Sequence, residues 1–209
     1  MRMLAIADLH AEESVLDRLR VVATKGSYDQ IFVVGDLTDR GPLSYAEELI
    51  SILPDALMVH GNMDPPEVQK LMEKKGVSVH GKKVELGEWN VVGIGGSNPT
   101  PFKTPSEYHE DEIARILNMA DVDKFSILLS HAPPHGLFDS IGDMHVGSTA
   151  VRQVIEQKKP LMCLCAHIHE HEGQEVLGDT LVVKLPPATN LRAAEIEIGD
   201  NIDVRFIKL

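Results

Sequence analysis

Asp and His side chains follow apolar runs in this sequence at spacings that suit metal ligation. The apolar run at residues 3–7 stops at Asp8, and His10 comes two residues later. Side chains at positions i and i+2 of an extended chain point the same way, so Asp8 and His10 are expected to leave a strand end together. A carboxylate beside an imidazole is a ligand pair that first-row divalent metals accept. The pair alone is weak evidence, since Asp8 could cap a helix and His10 could be a surface residue.

Further polar side chains come directly after four later apolar runs. They are Asp36, Asn62, His131, His167 and His169. Together with Asp8 and His10 they form a set of seven mixed carboxylate, amide and imidazole ligands. That number exceeds what one tetrahedral zinc binds, and it suits two divalent ions that share one carboxylate.

The elements between these residues are predicted to alternate between strands and helices. Apolar runs predict strands at residues 3–7, 30–34, 56–59, 77–79, 83–86, 90–94, 125–130 and 161–166. Apolar spacing predicts helices at residues 12–25 (ending at Gly26), 42–53, 67–74 and 110–119, and a helix capped by Ser148 that runs to about residue 156. Such alternation indicates a parallel sheet, and open α/β sheets bind ligands at the carboxyl ends of their strands.

The rest of the chain differs in pattern. Residues 95–105 form a proline-containing segment without periodicity, which predicts an ordered or lid-like loop, and residues 137–146 are predicted to be irregular. Four short alternating strands are predicted in the tail, at residues 173–176, 180–184, 192–198 and 202–208. Their alternation and their turns indicate a second, antiparallel sheet region.

Composition limits the class of protein. With 209 residues, one domain spanning residues 1–209 is expected. The net charge of −12 argues against a broad basic face for nucleic acid, but bound dications would still allow a phosphorylated substrate. We find no apolar run long enough for a membrane span and no signal peptide. Cys163 and Cys165 are expected to be buried thiols on one strand, which fits a cytoplasmic location.

Five motifs in chain order resemble those of the calcineurin-like metallophosphoesterases, in their small stand-alone bacterial and archaeal form. They are Asp8-Leu9-His10, Gly35-Asp36, Gly61-Asn62-Met63-Asp64, Ser130-His131 and Ala166-His167-Ile168-His169. The resemblance spans nearly the whole chain. It implies an α/β fold, a four-layer αββα sandwich of two mixed β-sheets flanked by helices.

The resemblance also implies the metal ligands. One ion would be held by Asp8, His10, Asp36 and His169, and the other by Asp36, Asn62, His131 and His167, so that Asp36 bridges. Mn²⁺ is the expected metal, with Fe, Ni or Zn as alternatives. A hydroxide bridging the two ions would attack phosphorus, and the ions would neutralise phosphate oxygens.

Two departures from the family pattern bear on catalysis. Met63 stands where most members have the His thought to protonate the leaving group, and a thioether cannot donate a proton. His135 and His145 are substitute candidates, although both could be ordinary loop histidines. Ala166 replaces the usual glycine before His167, which is a mild change.

The segment Gly35–Gly41 resembles the phosphoprotein phosphatase branch, where the Arg contacts phosphate. Arg40 could make such a bidentate contact, or Asp39 and Arg40 could form only a local turn and salt bridge. The expected catalytic residues are Asp36, Asn62, Arg40 and His135. Asn62, Arg40 and His145 are the expected substrate contacts.

The sequence therefore predicts a dinuclear-metal phosphoesterase that hydrolyses phosphodiesters, and in some cases monoesters, of small molecules or nucleotides. A phosphoprotein phosphatase-like monoesterase, an inactive scaffold with this fold and a nuclease are the alternatives. The acidic balance counts against the nuclease. The complete ligand set counts against the scaffold.

Overall fold

A computed structural model describes residues 1–25 and 27–209 of the chain. Its helices are α1 (Glu13–Lys25), α2 (Leu43–Ile52), α3 (Pro66–Lys75), α4 (Glu110–Met119) and α5 (Thr149–Lys158). The strands of its first half are β1 (Arg2–Ile6), β2 (Gln30–Val34), β3 (Leu57–Val59), β4 (Lys83–Leu86), β5 (Trp89–Ile94) and β6 (Ser126–Ser130). The later strands are β7 (Ser140–Ile141), β8 (Met144–His145), β9 (Met162–Cys165), β10 (Gly173–Leu177), β11 (Thr180–Lys184), β12 (Arg192–Ile198) and β13 (Ile202–Lys208).

These strands build two large mixed sheets. The first sheet has the order β13-β12-β1-β2-β3, with β1, β2 and β3 parallel and the two tail strands antiparallel to their neighbours. The second has the order β10-β11-β9-β6-β5-β4, in which β5, β6, β9 and β11 run parallel. Strands β7 and β8 form a small separate hairpin.

Alternate residues of one strand show how the layers pack. In β1, Met3 and Ala5 pack with Ile127 and Leu129 of β6, which places them between the two sheets. Leu4 of β1 faces the other way and packs with the buried apolar residues of α1, α2 and α3. On the outer face of the second sheet, Leu128 packs with buried residues of α4 and α5. The four-layer sandwich of two mixed sheets flanked by helices is confirmed, and burial on both faces explains the continuous apolar runs of the central strands.

The helices begin and end close to their predicted limits. Helix α4 has the predicted bounds, and Ser148 caps α5 by accepting a hydrogen bond from Val151 N at 3.1 Å. Gly26, the predicted end of α1, lies outside the described residues. The strand predicted at residues 77–79 is only a pair of isolated bridges, at Ser78 and His80.

Two expectations for the second half of the chain are wrong. The tail does not form a sheet of its own: β10 and β11 extend the second sheet, while β12 and β13 complete the first. Residues 137–146 are not wholly irregular, because they contain the β7–β8 hairpin. Local alternation and turn residues specify a hairpin, but they do not specify which sheet edge it joins.

Cys163 and Cys165 are buried free thiols on β9, as predicted. Within the described part of the chain, no helix is both long and apolar enough to cross a membrane.

Candidate metal centre

The carboxyl ends of five strands bring the seven candidate ligands to one place. They follow β1, β2, β3, β6 and β9, which belong to both sheets. The loops after β1 and β2 are joined directly, since Asp8 N donates to Gly35 O at 3.0 Å and His10 N to Asp36 O at 3.0 Å. The edge expected from the parallel arrangement is therefore the edge where these residues meet.

The backbone conformation that brings Asp8 and His10 to this edge differs from the extended one expected. Strand β1 ends at Ile6, and Asp8 and His10 have φ angles of 55° and 47°. The left-handed backbone conformation of these residues, not the alternation of an extended strand, sets the direction of their side chains. The expectation of an extended i, i+2 pair is thus wrong. The two residues nevertheless lie in one cluster with His169.

The ligand atoms form two adjacent groups. Asp8, His10 and His169 form one, and Asp36, His131 and His167 form the other, with ligand atoms within 4.8 Å of one another in each. In the first group the Nε2 atoms of His10 and His169 are 3.3 Å apart. Asp36 Oδ2 lies 3.7 Å from His10 Nε2 and 3.4 Å from His131 Nε2, so one carboxylate oxygen stands between the groups.

Hydrogen bonds fix the orientation of the second group. His131 Nδ1 faces Val34 O at 2.9 Å, which assigns the proton to Nδ1 and directs Nε2 at the cluster. The Oδ1 atom of Asn62 is 3.0 Å from His131 Nε2, which places the amide oxygen in the second group. Met63 N donates to Asp36 Oδ1 at 2.8 Å and leaves Oδ2 for the centre.

The buried carboxylate of Asp8 fits a metal ligand. Both of its oxygens are buried, and neither has a hydrogen-bond partner among the described residues. Burying an unpaired carboxylate costs about several kcal/mol, unless a cation or a set of hydrogen-bond donors compensates for the lost hydration. The donor set of hard oxygens and imidazoles is one that Mn²⁺, Fe²⁺ or Zn²⁺ accepts. The residues present therefore fit a pair of divalent cations.

Charges within the cluster shift its pKa values strongly. Burial lowers the pKa of His131, but the charges of Asp36 and Asp8 outweigh it and raise the value to about 9. Burial, together with positive charge on His131, lowers the pKa of His167 to about 4. Burial raises the pKa of Asp8, but His169 and the charges of His131 and Lys184 bring it below its ordinary value. The carboxylates of Asp8 and Asp36 and the imidazolium of His131 therefore stabilise one another's charged forms, and strongly shifted pKa values of this kind are typical of functional sites.

Asp64 belongs to the Gly61–Asp64 motif, but the motif alone indicates no role for it. It is fully buried, and Oδ2 accepts from Leu37 N at 3.0 Å and from Gly61 N at 2.8 Å. Oδ1 accepts from Thr38 N at 2.7 Å and from Thr38 Oγ1 at 2.9 Å. Burial and the charge of Asp36 raise the pKa of Asp64 to about 6, against these hydrogen bonds. Asp64 thereby ties the loop that carries Asp36 to the loop that carries Asn62.

Among the remaining predicted site residues, Arg40 and His135 lie in the loops after β2 and β6, and His145 lies on β8. Arg40 is exposed, and its backbone N donates to Met63 O at 2.9 Å. No ion pair joins Asp39 and Arg40 in the described part of the chain. His135 and His145 lie side by side, with ring centroids 5.6 Å apart. Asp139, which binds the His145 ring, was missed because no local motif marks it.

Comparison with known proteins decides the family. The sequence model of the calcineurin-like phosphoesterases matches residues 1–171. The chain belongs to the calcineurin-like phosphoesterase family. It is 36% identical over 197 residues to the uncharacterized protein MJ1162 of Methanocaldococcus jannaschii, with 90% of this chain and 88% of that protein covered.

Solved structures of calcineurin-like phosphoesterase fold resemble the chain over its whole length. A dimetal phosphatase from Danio rerio superposes with a TM-score of 0.68 at 11% identity, covering 100% of this chain and 96% of that one. A structure described as a novel archaeal phosphodiesterase superposes with a TM-score of 0.61 at 10% identity, covering 100% of both chains. At identities this low, the structural similarity establishes only the shared fold. The family to which the sequence model assigns the chain is one of metal-dependent phosphoesterases.

Proposed function

We propose that this calcineurin-like phosphoesterase is a dinuclear-metal phosphodiesterase, with Mn²⁺ as the first candidate metal. The observation that carries the proposal is the position of Asp36 Oδ2 between two groups of imidazoles. When bound, paired divalent cations lower the pKa of water and neutralise phosphate oxygens. Asp8, His10, Asp36 and His169 would hold one ion, and Asp36, Asn62, His131 and His167 the other.

The chain's own residues would prepare this centre before substrate binds. Val34 O holds the His131 ring, and Met63 N holds the Asp36 carboxylate, so neither ligand has to reorganise. Asn62 would contact substrate phosphate as well as an ion, and Asp64 holds its loop through Gly61 N. Fixed ligands of this kind stabilise charge that develops in the transition state.

Charge favours a diester over a monoester. The loop segments that carry the ligands are residues 8–10, 36–41, 61–64, 131–136 and 166–170, and Arg40 is the one Lys or Arg among them. A diester has one negative charge at phosphorus and a monoester has up to two, so beyond the two proposed cations the single guanidinium would suit the diester. The net charge of −12 favours a small-molecule or nucleotide diester over a nucleic acid polymer.

The first test is metal-dependent hydrolysis of bis(p-nitrophenyl) phosphate. Asp36→Asn keeps an oxygen for Met63 N but removes the shared negative charge, so we expect a loss of kcat/KM of at least about 100-fold and of bound metal. Asp55→Asn, at an exposed carboxylate, is the matched control. Assays with Mn²⁺, Fe²⁺, Ni²⁺ and Zn²⁺ and metal analysis of the purified protein complete the measurement.

Near-full activity of a folded Asp36→Asn protein would contradict the proposed centre. A scaffold without catalytic function would instead show no hydrolysis with any of the four metals. A monoesterase would hydrolyse p-nitrophenyl phosphate in preference to the diester.

Arg40 is proposed to bind the phosphate of the substrate. Its side chain is exposed, it forms no ion pair with Asp39, and its loop is joined to the Asn62 loop through Met63. A hydrogen bond to a charged group is worth about 1.5–3 kcal/mol, so Arg40→Ala should lower kcat/KM about 10- to 100-fold, mainly through KM. Arg18→Ala on α1 is the control, and equal KM values for both variants would refute the role.

A further inference from the structure

The β7–β8 hairpin is bonded on two sides to loops at the ligand-bearing edge of the strands. His171 Nε2, two residues beyond the ligand His169, donates to Ser140 O at 2.8 Å. Asn98 Nδ2, in the loop after β5, donates to Val146 O at 3.0 Å. The segment that leads into the hairpin starts at the ligand His131. Loops after the carboxyl ends of β9 and β5 therefore hold this hairpin at the edge of the strands that also carries the ligands.

Asp139 is a buried carboxylate that organises this hairpin. It is 1% exposed, and its Oδ2 accepts from Gly136 N and Gly147 N, both at 2.9 Å. Its Oδ1 lies 2.6 Å from His145 Nδ1. Burial raises the pKa of Asp139, but the bonds from Gly136, His145 and Gly147 hold it below its ordinary value. Asp139 is therefore a fixed negative charge against one nitrogen of the His145 ring.

The pairing determines what the rest of the His145 ring can do. A carboxylate on Nδ1 fixes a proton there and leaves Nε2 as the ring nitrogen that Asp139 does not contact. The side chain of His145 is 51% exposed, so the ring is accessible to solvent. A buried Asp that orients a partly exposed His is the arrangement that a proton donor or acceptor needs.

Other side chains of this edge are less suited to proton donation. Met63 has no proton to give. The ring of His171 is engaged with Ser140. The ring of His135 packs against His145 but forms no hydrogen bond with the described residues. His145 is thus the one of these imidazoles that a carboxylate orients.

We propose that His145, positioned by Asp139, protonates the leaving-group oxygen during phosphodiester hydrolysis, an inference that rests on the proposed function. The P–O bond to the leaving group breaks with its electron pair on oxygen, and the Nε2 proton of the His145 imidazolium transfers to that oxygen. The neutral ring then regains a proton from solvent water. Asp139 stays ionised throughout and acts only as a positioning residue. This assignment gives the catalytic role to His145 rather than to His135.

Substrates that differ only in their leaving group test the proposal. Methyl p-nitrophenyl phosphate has a good leaving group that needs little proton transfer, and methyl phenyl phosphate has a poor one. General acid catalysis contributes about 10²- to 10⁴-fold. We therefore expect His145→Gln to lower kcat for the phenyl ester at least about 100-fold more than kcat for the p-nitrophenyl ester. Asp139→Asn should show a selective loss in the same direction, in kcat more than in KM.

Two further variants make the result specific. His109→Gln removes an exposed imidazole at the start of α4 and should show no selectivity between the two esters. His135→Gln distinguishes the role of His135 from that of His145. A selective loss on the phenyl ester in His135→Gln instead of in His145→Gln would overturn the proposal. Equal losses on both esters in His145→Gln would overturn it as well.

Failure of the proposed function has a different signature. A wild-type protein that hydrolyses neither ester with any metal refutes the phosphodiesterase itself. Thermal unfolding of each variant checks the fold, because Asp139 also binds two backbone N–H groups. Should Asp139→Asn fail to fold, the variants His145→Gln and His145→Asn decide. Equal losses of kcat on the two esters in both variants contradict the assignment.

Discussion

At the scale of single residues, two glycines allow the ligands to approach one another. A side chain at Gly61 would collide with the Oδ1 and backbone N atoms of Asp36, and one at Gly35 would collide with the His131 ring. Gly35 also has a φ of +89°, which side chains rarely tolerate. The sequence marks both glycines by their place before a ligand. Only the packing shows that each makes room for a ligand from a different loop.

Gly61→Ala should displace Asp36 and disable the centre while the two sheets remain intact. A new methyl group cannot occupy the space of the Asp36 carboxylate, so we expect loss of at least one bound metal and a fall in kcat/KM of at least about 10-fold. Gly199→Ala is the control, because nothing lies within 4 Å of its added Cβ. Metal analysis and hydrolysis of the diester are the measurements, and metal content equal to that of Gly199→Ala would refute the argument.

At the scale of elements, prediction from the sequence succeeded where the signal is local. The bounds of α4 and β2 match because helical spacing and a continuous apolar run identify them within the segment itself. The tail strands have the predicted limits to within a residue, but the sheet they join was wrong. Pairing of β12 with β1 depends on contacts between residues almost 200 positions apart, which local patterning does not contain.

The ligand site shows the same division. The types and order of the seven candidate ligands follow from motifs at strand ends, and the structure brings all seven together. The turns that direct Asp8 and His10 were not predictable, since residues other than glycine rarely adopt positive φ angles. Asp139 has no motif, and its role depends on a hairpin that no periodicity indicates.

The loop predicted at residues 95–105, as ordered or lid-like, is held in place by hydrogen bonds that the sequence did not predict. Oε1 of Glu107 accepts from Thr100 Oγ1 at 2.7 Å and from Thr104 N at 2.7 Å, which closes the loop on itself. Ser106 then joins it to the centre, since its N donates to Asn62 O at 3.0 Å and its Oγ to Asp64 O at 2.7 Å. The loop therefore supports the Asn62 loop from outside the ligand set.

At the scale of the whole molecule, the tail contributes to the core but not to the ligand set. All seven candidate ligands precede residue 170, and the family match ends at residue 171. Strands β11 and β12, with the residue that follows β11, nevertheless place four side chains in the apolar layer between the sheets: Val183, Leu185, Ala194 and Ile196. Strand β12 also covers the edge of β1, whose carboxyl end leads to Asp8. We therefore propose that residues 1–209 fold as one domain.

A chain that ends at residue 171 should consequently fail to fold, although it keeps every candidate ligand. Burial of a large aliphatic side chain contributes about 1.5–3 kcal/mol. Losing Val183, Leu185 and Ile196 therefore approaches the roughly 5–15 kcal/mol that typically stabilises a domain. A chain that ends at residue 200 loses only the edge strand β13 and should remain folded with reduced stability. Circular dichroism, thermal unfolding and bound metal distinguish the two. A folded 1–171 protein that retains metal would show that the ligand-bearing part is a folding unit by itself.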